Sequence, residues 1–283
     1  MMPNSFSFIY SRFYRRWLYL LLSVLVAVGI GVGSPQKTQA ISLFDLLNQG
    51  IQIFQLSTIS DREEVQLGKQ INQQLVNSDI KLYRNQNVNR YVNQIGQWLA
   101  TNSTRPDIPY TFQVVQDESV NAFATMGGYV YVTTGLLKAA DNEAQLASVI
   151  AHEIGHIASR HSIEQMRETA IARGFATAAG LERSTAVQIG VDLALRRPHS
   201  RQDEFEADQR GLRTLGRSGY AQSAMIAFMQ KLLQQPSVPT FLSTHPATSD
   251  RITALKSAAN SQKAHRGGGL NNTVYEEKIQ PLS

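Results

Sequence analysis

The segment His152-Glu153-Ile154-Gly155-His156 carries the residue types and spacing that point most directly to chemistry in this chain. It lies in a strongly helical stretch, where residues four apart share one face, so both imidazoles can reach the same metal ion. Glu153 follows the first imidazole and can accept a proton from a water molecule at that metal. The pattern predicts a metal-dependent hydrolytic site.

A catalytic zinc ion usually has three protein ligands, so one more is expected beyond the two histidines. Glu204 and Asp208 lie four residues apart on a predicted helix that begins at Ser200, and they therefore share a face. We predict Glu204 as the third ligand. Asp208 is predicted to accept a hydrogen bond from a ligand imidazole and so to fix its tautomer. Glu206 points elsewhere, and we expect it to form a surface ion pair with Arg210.

The sequence indicates the roles of the remaining histidines less clearly. His245, which precedes Pro246, can donate a hydrogen bond to the transition state, or it can be a displaceable fourth ligand that keeps the resting enzyme inactive. A loop histidine unrelated to the site is the third interpretation. Arg160 and His161 are expected at the C-terminal end of the metal-binding helix, where positive charge suits the helix dipole. His199 is expected at the surface.

Capping signals indicate where the helices that position these residues begin. Ser60 with Glu63 predicts a capping box, and Ser200 with Asp203 predicts a second one. Asp141 is the predicted cap of the helix that carries the two histidines. The spacing of helical segments over the second half of the chain favours a mainly helical domain.

Two segments have the aromatic and β-branched content of strands, residues 110–115 and residues 129–133. The fold class predicted is therefore α+β, with a small β-sheet beside the H-E-x-x-H helix. An exposed edge of the second strand could pair with an extended peptide substrate, and the alternative is a strand that only completes the core sheet. The residues predicted for the substrate edge are Gly128, Tyr129, Val130 and Tyr131.

The formal net charge of +5 is a property of the N-terminal segment. Arg12, Arg15, Arg16 and Lys37 precede Ile41 and no acidic residue does, which leaves 23 basic and 22 acidic residues in the rest of the chain. We therefore expect no nucleic-acid partner. The chain contains no cysteine, which excludes disulfides, thiolate zinc ligands and a cysteine nucleophile.

Residues 1–40 have the parts of an export signal, namely a basic stretch, an apolar run over residues 17–33, and small residues before Ala40. Cleavage is favoured over an uncleaved anchor, and the expected location is the periplasm or an equivalent compartment. Residues 41–60 are predicted to form an amphipathic helix that packs on the domain, with association at a membrane surface as the alternative. The metallopeptidase domain is expected over residues 61–260, followed by a mobile tail over residues 261–283.

Four segments together resemble a known family: NAFATMGGYVYVTTGLL (residues 121–137), HEIGH (152–156), SRQDEFEAD (200–208) and THPATSDRI (244–252). They are similar to the H-E-x-x-H zinc peptidases that include the CAAX prenyl endopeptidase, HtpX, BepA and LoiP, and most of all to the short exported members. The resemblance implies a zincin-type fold and one zinc ion held by His152, His156 and Glu204, with Glu153 as the general base. It also implies polypeptide substrates, among them unfolded or damaged envelope proteins.

The predicted function is that of a zinc-dependent endopeptidase of the cell envelope, acting in protein quality control. One rival is a binding or chaperone protein with a structural zinc site, and a second is an exported helical scaffold with an accidental motif. Glu153 argues against the first rival, because a purely structural metal needs no carboxylate beside its ligand.

Overall fold

A computed structural model describes residues 53–54, 56, 58–173, 181–246, 249–259 and 267–282. The strands are β1 (Ile53–Phe54), β2 (Thr111–Val115), β3 (Ala122–Thr125), β4 (Tyr129–Thr133) and β5 (Leu181–Glu182). The α-helices are α1 (Asp61–Gln74), α2 (Gln86–Thr101), α3 (Thr134–Ala139), α4 (Glu143–Ala158), α5 (His161–Ala172), α6 (Arg183–Arg196), α7 (Arg201–Arg217), α8 (Ser223–Leu233), α9 (Thr240–Thr244), α10 (Ser249–Ala258) and α11 (Asn272–Ile279). This confirms the predicted α+β fold in which helices predominate.

The main sheet has three strands in the order β2, β4, β3. β4 runs parallel to β2 and antiparallel to β3, with Ala122 opposite Val132. The chain reverses between β3 and β4 at Gly127 and Gly128, whose φ angles are 77° and 95°. Residues with a Cβ rarely adopt such angles, so the two glycines are needed for the turn.

The central position of β4 corrects the prediction that Gly128, Tyr129, Val130 and Tyr131 form an exposed edge for substrate. β4 is hydrogen-bonded on both sides, and Val130 and Tyr131 are buried. The strand completes the core sheet, as the alternative interpretation expected. β3 is the edge strand that contacts α4, and the sequence did not reveal it because Ala-Phe-Ala-Thr is short and poor in β-branched residues.

Alternation along β4 directs its side chains into two hydrophobic cores. Val130 and Val132 face the core built with α2 and α4. Tyr131 faces the second core, which includes residues of α1, α5 and α6, and its ring stacks on Phe123 with the centroids 4.5 Å apart. Both faces of the small sheet are therefore covered, and one of them lies against the helix that carries the H-E-x-x-H residues.

Glycines bring α4 and α7 unusually close together. A Cβ built on Gly155 would lie 2.6 Å from the backbone oxygen of Ala207, and one on Gly211 would lie 3.0 Å from the backbone oxygen of Ala151. Neither position can accept a side chain without moving a helix backbone. The close packing places the histidines of α4 directly opposite the acidic residues of α7.

Local capping signals predict the helix starts well. Both capping boxes, at Ser60 and at Ser200, are present. The helix α4 begins one residue later than expected, because the side chain of Asn142 caps it. Asp141, the predicted cap, instead pairs with Lys231.

The predicted N-terminal signal at residues 1–40 and most of the predicted helix at residues 41–60 lie outside the described residues. Within that helix, Ile53–Phe54 is instead the strand β1, which pairs antiparallel with β5. This difference has a physical reason, because isoleucine and phenylalanine both favour extended backbone. Among the helices that the structure describes, none is long and apolar enough to cross a membrane.

The C-terminal region differs from the predicted mobile tail. The helix α11 forms within residues 267–282, is capped by Asn271 and contacts α2. The Tyr275 side chain is buried, and its hydroxyl donates to the backbone oxygen of Leu137 over 2.7 Å. A single buried aromatic side chain anchors this helix, which explains why a search for apolar periodicity misses it.

Candidate metal centre

His152 and His156 on α4, Glu204 on α7 and His245 after α9 converge in the protein interior, where all four are buried. Nε2 of His156 lies 3.1 Å from Nε2 of His152 and 3.3 Å from Oε1 of Glu204. Nδ1 of His245 lies 3.0 Å from the same carboxylate oxygen and 3.3 Å from Nε2 of His152. The structure thus brings the three predicted ligands together and adds His245 to them.

These separations fit a metal site. Ligand atoms around a tetrahedral zinc ion with Zn–N and Zn–O bonds of about 2.0–2.1 Å lie about 3.3 Å from one another. The donor atoms of the cluster are separated by 3.0–3.5 Å where they are in contact. The three imidazoles and one carboxylate are also a donor set that zinc accepts readily. The interpretation of His245 as a loop histidine unrelated to the site is therefore wrong.

Glu153 lies beside the cluster and is fully buried. Its Oε1 is 3.4 Å from Nε2 of His245, and neither of its oxygens accepts a hydrogen bond from the residues that the structure describes. Burial raises the pKa of Glu153 above its usual value. A buried carboxylate without donors is costly unless it meets water, substrate or a cation.

Asp208 holds His152 from the side opposite the cluster. Its Oδ1 lies 3.0 Å from Nδ1 of His152, so that Nε2 faces the other donors. Burial opposes ionisation of Asp208, but the hydrogen bonds from Arg251 and the nearby ring of His152 outweigh it and keep the pKa of Asp208 below its usual value. The carboxylate is therefore charged and lies beside the imidazole nitrogen that faces away from the cluster.

Arg251 is a residue of the site that sequence reasoning missed. Its Nε and Nη2 donate to the two oxygens of Asp208 over 2.7 and 2.8 Å, and its Nη1 contacts Glu204. Nη1 also donates to the backbone oxygen of Pro246 over 2.9 Å, which ties down the loop that carries His245. Its position six residues after His245 was the available signal, but spacing alone does not show that an arginine points inward.

Two further histidines lie beside His156 and differ from the predictions. His199 is partly buried rather than on the surface, and its ring stacks on that of His156 with the centroids 3.9 Å apart. His161 begins α5 and is buried, with its Nδ1 2.8 Å from Nδ1 of His156. Glu206 does pair with Arg210 as predicted, over 2.9 Å.

A cavity of about 10 Å³ beside the cluster lies between β3, α6 and the pair His199 and His245. That volume holds about one water molecule. α6 contacts β3 and lines this cavity together with it.

Similar proteins were found for the part of the chain that contains the cluster. Residues 86–259, which include every residue of the cluster, match peptidase family M48. The chain is similar to the beta-barrel assembly-enhancing protease of Escherichia coli, with 31% identity over 224 residues that cover 73% of this chain and 46% of that protein. The protein of the same name from Yersinia pestis is 31% identical over 268 residues, 87% of this chain and 54% of its own length.

The mitochondrial metalloendopeptidase OMA1 of Schizosaccharomyces pombe is also similar, with 30% identity over 173 residues that cover 59% of this chain and 51% of that protein. The chain spans about half the length of the curated relatives it matches. Because the family match covers more than half of the chain and contains the buried cluster, the chain belongs to peptidase family M48.

Proposed function

We propose that this protein is a zinc-dependent endopeptidase. The observation that carries the proposal is the burial of four donor side chains at ligand spacing beside Glu153, a carboxylate that accepts no hydrogen bond from the described residues. Zinc, when bound, polarises the carbonyl of the scissile peptide and lowers the pKa of a coordinated water molecule. His152, His156 and Glu204 would hold the ion, with Asp208 orienting His152.

Glu153 performs the proton transfers. It accepts a proton from the water whose oxygen forms a bond to the carbonyl carbon, and it passes that proton to the amine nitrogen as the C–N bond breaks. Glu153 is buried beside the cluster, where its carboxylate can exchange protons with groups at the metal site.

His245 acts as a displaceable fourth ligand in this proposal. Its Nδ1 lies among the donor atoms, and its Nε2 lies 3.4 Å from Oε1 of Glu153. An imidazole in that position occupies space that the attacking water and the carbonyl group need. Displacement of the loop would open the site, and the same imidazole could then donate to the transition state.

Unfolded polypeptides in the cell envelope are the proposed substrates. β3 lies at the edge of the sheet and contacts α4, and backbone pairing at such an edge would favour extended substrates without stable structure. The export signal predicted at residues 1–40 and the relatives named as beta-barrel assembly-enhancing proteases support an exported, periplasmic protein with a part in quality control.

The test is Glu153→Gln, assayed on a chemically unfolded protein with the cleavage products identified by mass spectrometry. We expect the variant to keep its zinc and to lose at least about 100-fold in kcat, because the amide cannot accept the proton. Glu164→Gln is the matched control, since Glu164 pairs with Arg167 at the surface of α5. Wild-type cleavage rates in Glu153→Gln would contradict the proposal.

A further inference from the structure

His156 has a second imidazole behind it. Its Nε2 faces Glu204 and the donor cluster over 3.3 Å, and its Nδ1 lies 2.8 Å from Nδ1 of His161. An imidazole that offers the lone pair of Nε2 to a metal carries its proton on Nδ1. That N–H then donates to Nδ1 of His161, which must be the unprotonated nitrogen of its ring.

The other nitrogen of His161 has the surroundings of an N–H donor. Nε2 of His161 lies 3.5 Å from Oε2 of Glu206 and 3.8 Å from Oδ1 of Asp203, both on α7. Two carboxylates at that side favour the tautomer with the proton on Nε2. The same tautomer leaves Nδ1 free to accept from His156. Both nitrogens of His161 are thereby engaged away from the donor cluster, so His161 is not itself a ligand.

The backbone just before His161 adopts an unusual conformation. Arg160 joins α4 to α5 with φ 60° and ψ 28°, the single positive φ outside glycine among the described residues. The left-handed backbone conformation is unfavourable for arginine, and it persists only when surrounding contacts stabilise it. Its Nη2 donates to the backbone oxygen of Ile59 over 2.7 Å, and its Nε lies 3.1 Å from the buried carboxylate of Glu64. The sharp turn directs His161 back toward His156.

We propose that His161 is a positioning residue that fixes the tautomer and the ring orientation of His156. The inference rests on the proposed metal site. The two proposed ligand histidines then differ in the group beside Nδ1. This group is the carboxylate of Asp208 for His152 and the imidazole of His161 for His156.

The experiment uses the full chain with 15N-labelled histidine and compares His161→Phe with His161→Gln. Zinc affinity is measured by competition with a chelator, and the tautomer of His156 is read from its ring nitrogen shifts. His161→Phe removes the acceptor while keeping a planar ring, so we expect zinc affinity to fall about 10- to 100-fold and both tautomers of His156 to appear in the zinc-free chain. His161→Gln retains an acceptor oxygen and should recover most of the affinity.

His199→Phe is the matched control, because it replaces another histidine that touches the His156 ring but leaves Nδ1 of His161 in place. We expect it to keep the single tautomer of His156. If His161→Phe has wild-type zinc affinity and a single tautomer of His156, the role of His161 is refuted but the metal site is not. If the wild-type chain does not bind zinc, both the role of His161 and the proposed function are refuted. If His161→Phe does not fold, the wild-type spectrum decides: a proton on Nδ1 of His161 would overturn the inference.

Discussion

Three buried carboxylates lie within one small region of the protein, those of Glu153, Glu204 and Asp208. The buried guanidinium of Arg251 contacts two of them. Burial opposes ionisation of Glu204 and Asp208, but their positively charged and hydrogen-bonding neighbours keep both pKa values below the usual range, so these two carboxylates are charged. Arg251 offsets one of the two negative charges, and a bound cation would offset the other.

His245→Ala tests whether the fourth imidazole restrains the enzyme. We expect basal cleavage of an unfolded substrate to rise several-fold, because the variant frees space beside Glu153, and zinc affinity to fall as a donor is lost. The measurements are initial rates and chelator competition. Ser243→Ala, at an exposed residue of α9, is the control. Unchanged kinetics would contradict a role for His245, and slower cleavage with zinc retained would assign it to the transition state instead.

Spacing on single helices made much of the cluster predictable. His152 and His156, four residues apart, had to share a face, and the same rule put Glu204 and Asp208 on one face of a second helix. Arg251 and His161 were missed because their roles depend on where a loop or a left-handed residue turns the chain. No helical periodicity carries that information.

At the scale of elements, the contact between α4 and α7 sets the distance between imidazoles and carboxylate. Gly155 stands between His152 and His156 in the sequence of α4, and it packs against Ala207 of α7. The ligands come from opposite helices, so any separation of the two axes moves Glu204 away from the imidazoles. The geometry of the cluster therefore depends on Gly155 and Ala207, neither of which has a reactive side chain.

Gly155→Ala should weaken zinc binding by about 10-fold or more and destabilise the fold by about 1–3 kcal/mol, because a methyl group 2.6 Å from a backbone oxygen forces the helices apart. Chelator competition and urea unfolding measure the two effects. Gly216→Ala is the control on α7, where the nearest atoms belong to the flexible side chain of Gln222. If both variants bind zinc as tightly as wild type, the close approach does not set the site.

Element prediction succeeded where the signal was local. The capping boxes at Ser60 and Ser200 involve residues three apart, so the sequence displays them directly. The strand β3 and its position at the sheet edge depend on pairing with β4, and short strands of this kind have little signal of their own. The residue content of β4 therefore suggests an edge strand, whereas in the structure β3 lies at the edge and β4 at the centre of the sheet.

At the scale of the molecule, the C-terminal segment closes over the catalytic domain. Tyr83 donates to the backbone oxygen of Pro281 over 2.7 Å, and Tyr275 is inserted beside α2 with its ring 6.3 Å from that of Tyr91. These contacts join residues nearly two hundred positions apart in the sequence. Long-range anchoring of this kind was not predictable from a segment rich in glycine and asparagine.

Tyr275→Ala should lower the free energy of unfolding by about 3–5 kcal/mol, because it leaves a cavity and an unpaired backbone oxygen at Leu137. Urea denaturation measures the loss, and the folded fraction should still bind zinc because Tyr275 lies outside the donor cluster. Val274→Ala, at a residue that is 46% exposed, is the control. Equal stability of the two variants would show that α11 does not support the domain.

In the proposed site, side chains from two helices and a loop hold one zinc ion. The most direct measurement is the zinc content per chain of the wild-type protein and of Glu204→Ala, after equilibration in a zinc buffer and removal of free metal. We predict about one zinc ion per wild-type chain and a small fraction of that in the variant. A wild-type chain that retains no zinc, or a variant that retains as much as the wild type, would show that these side chains do not hold the ion.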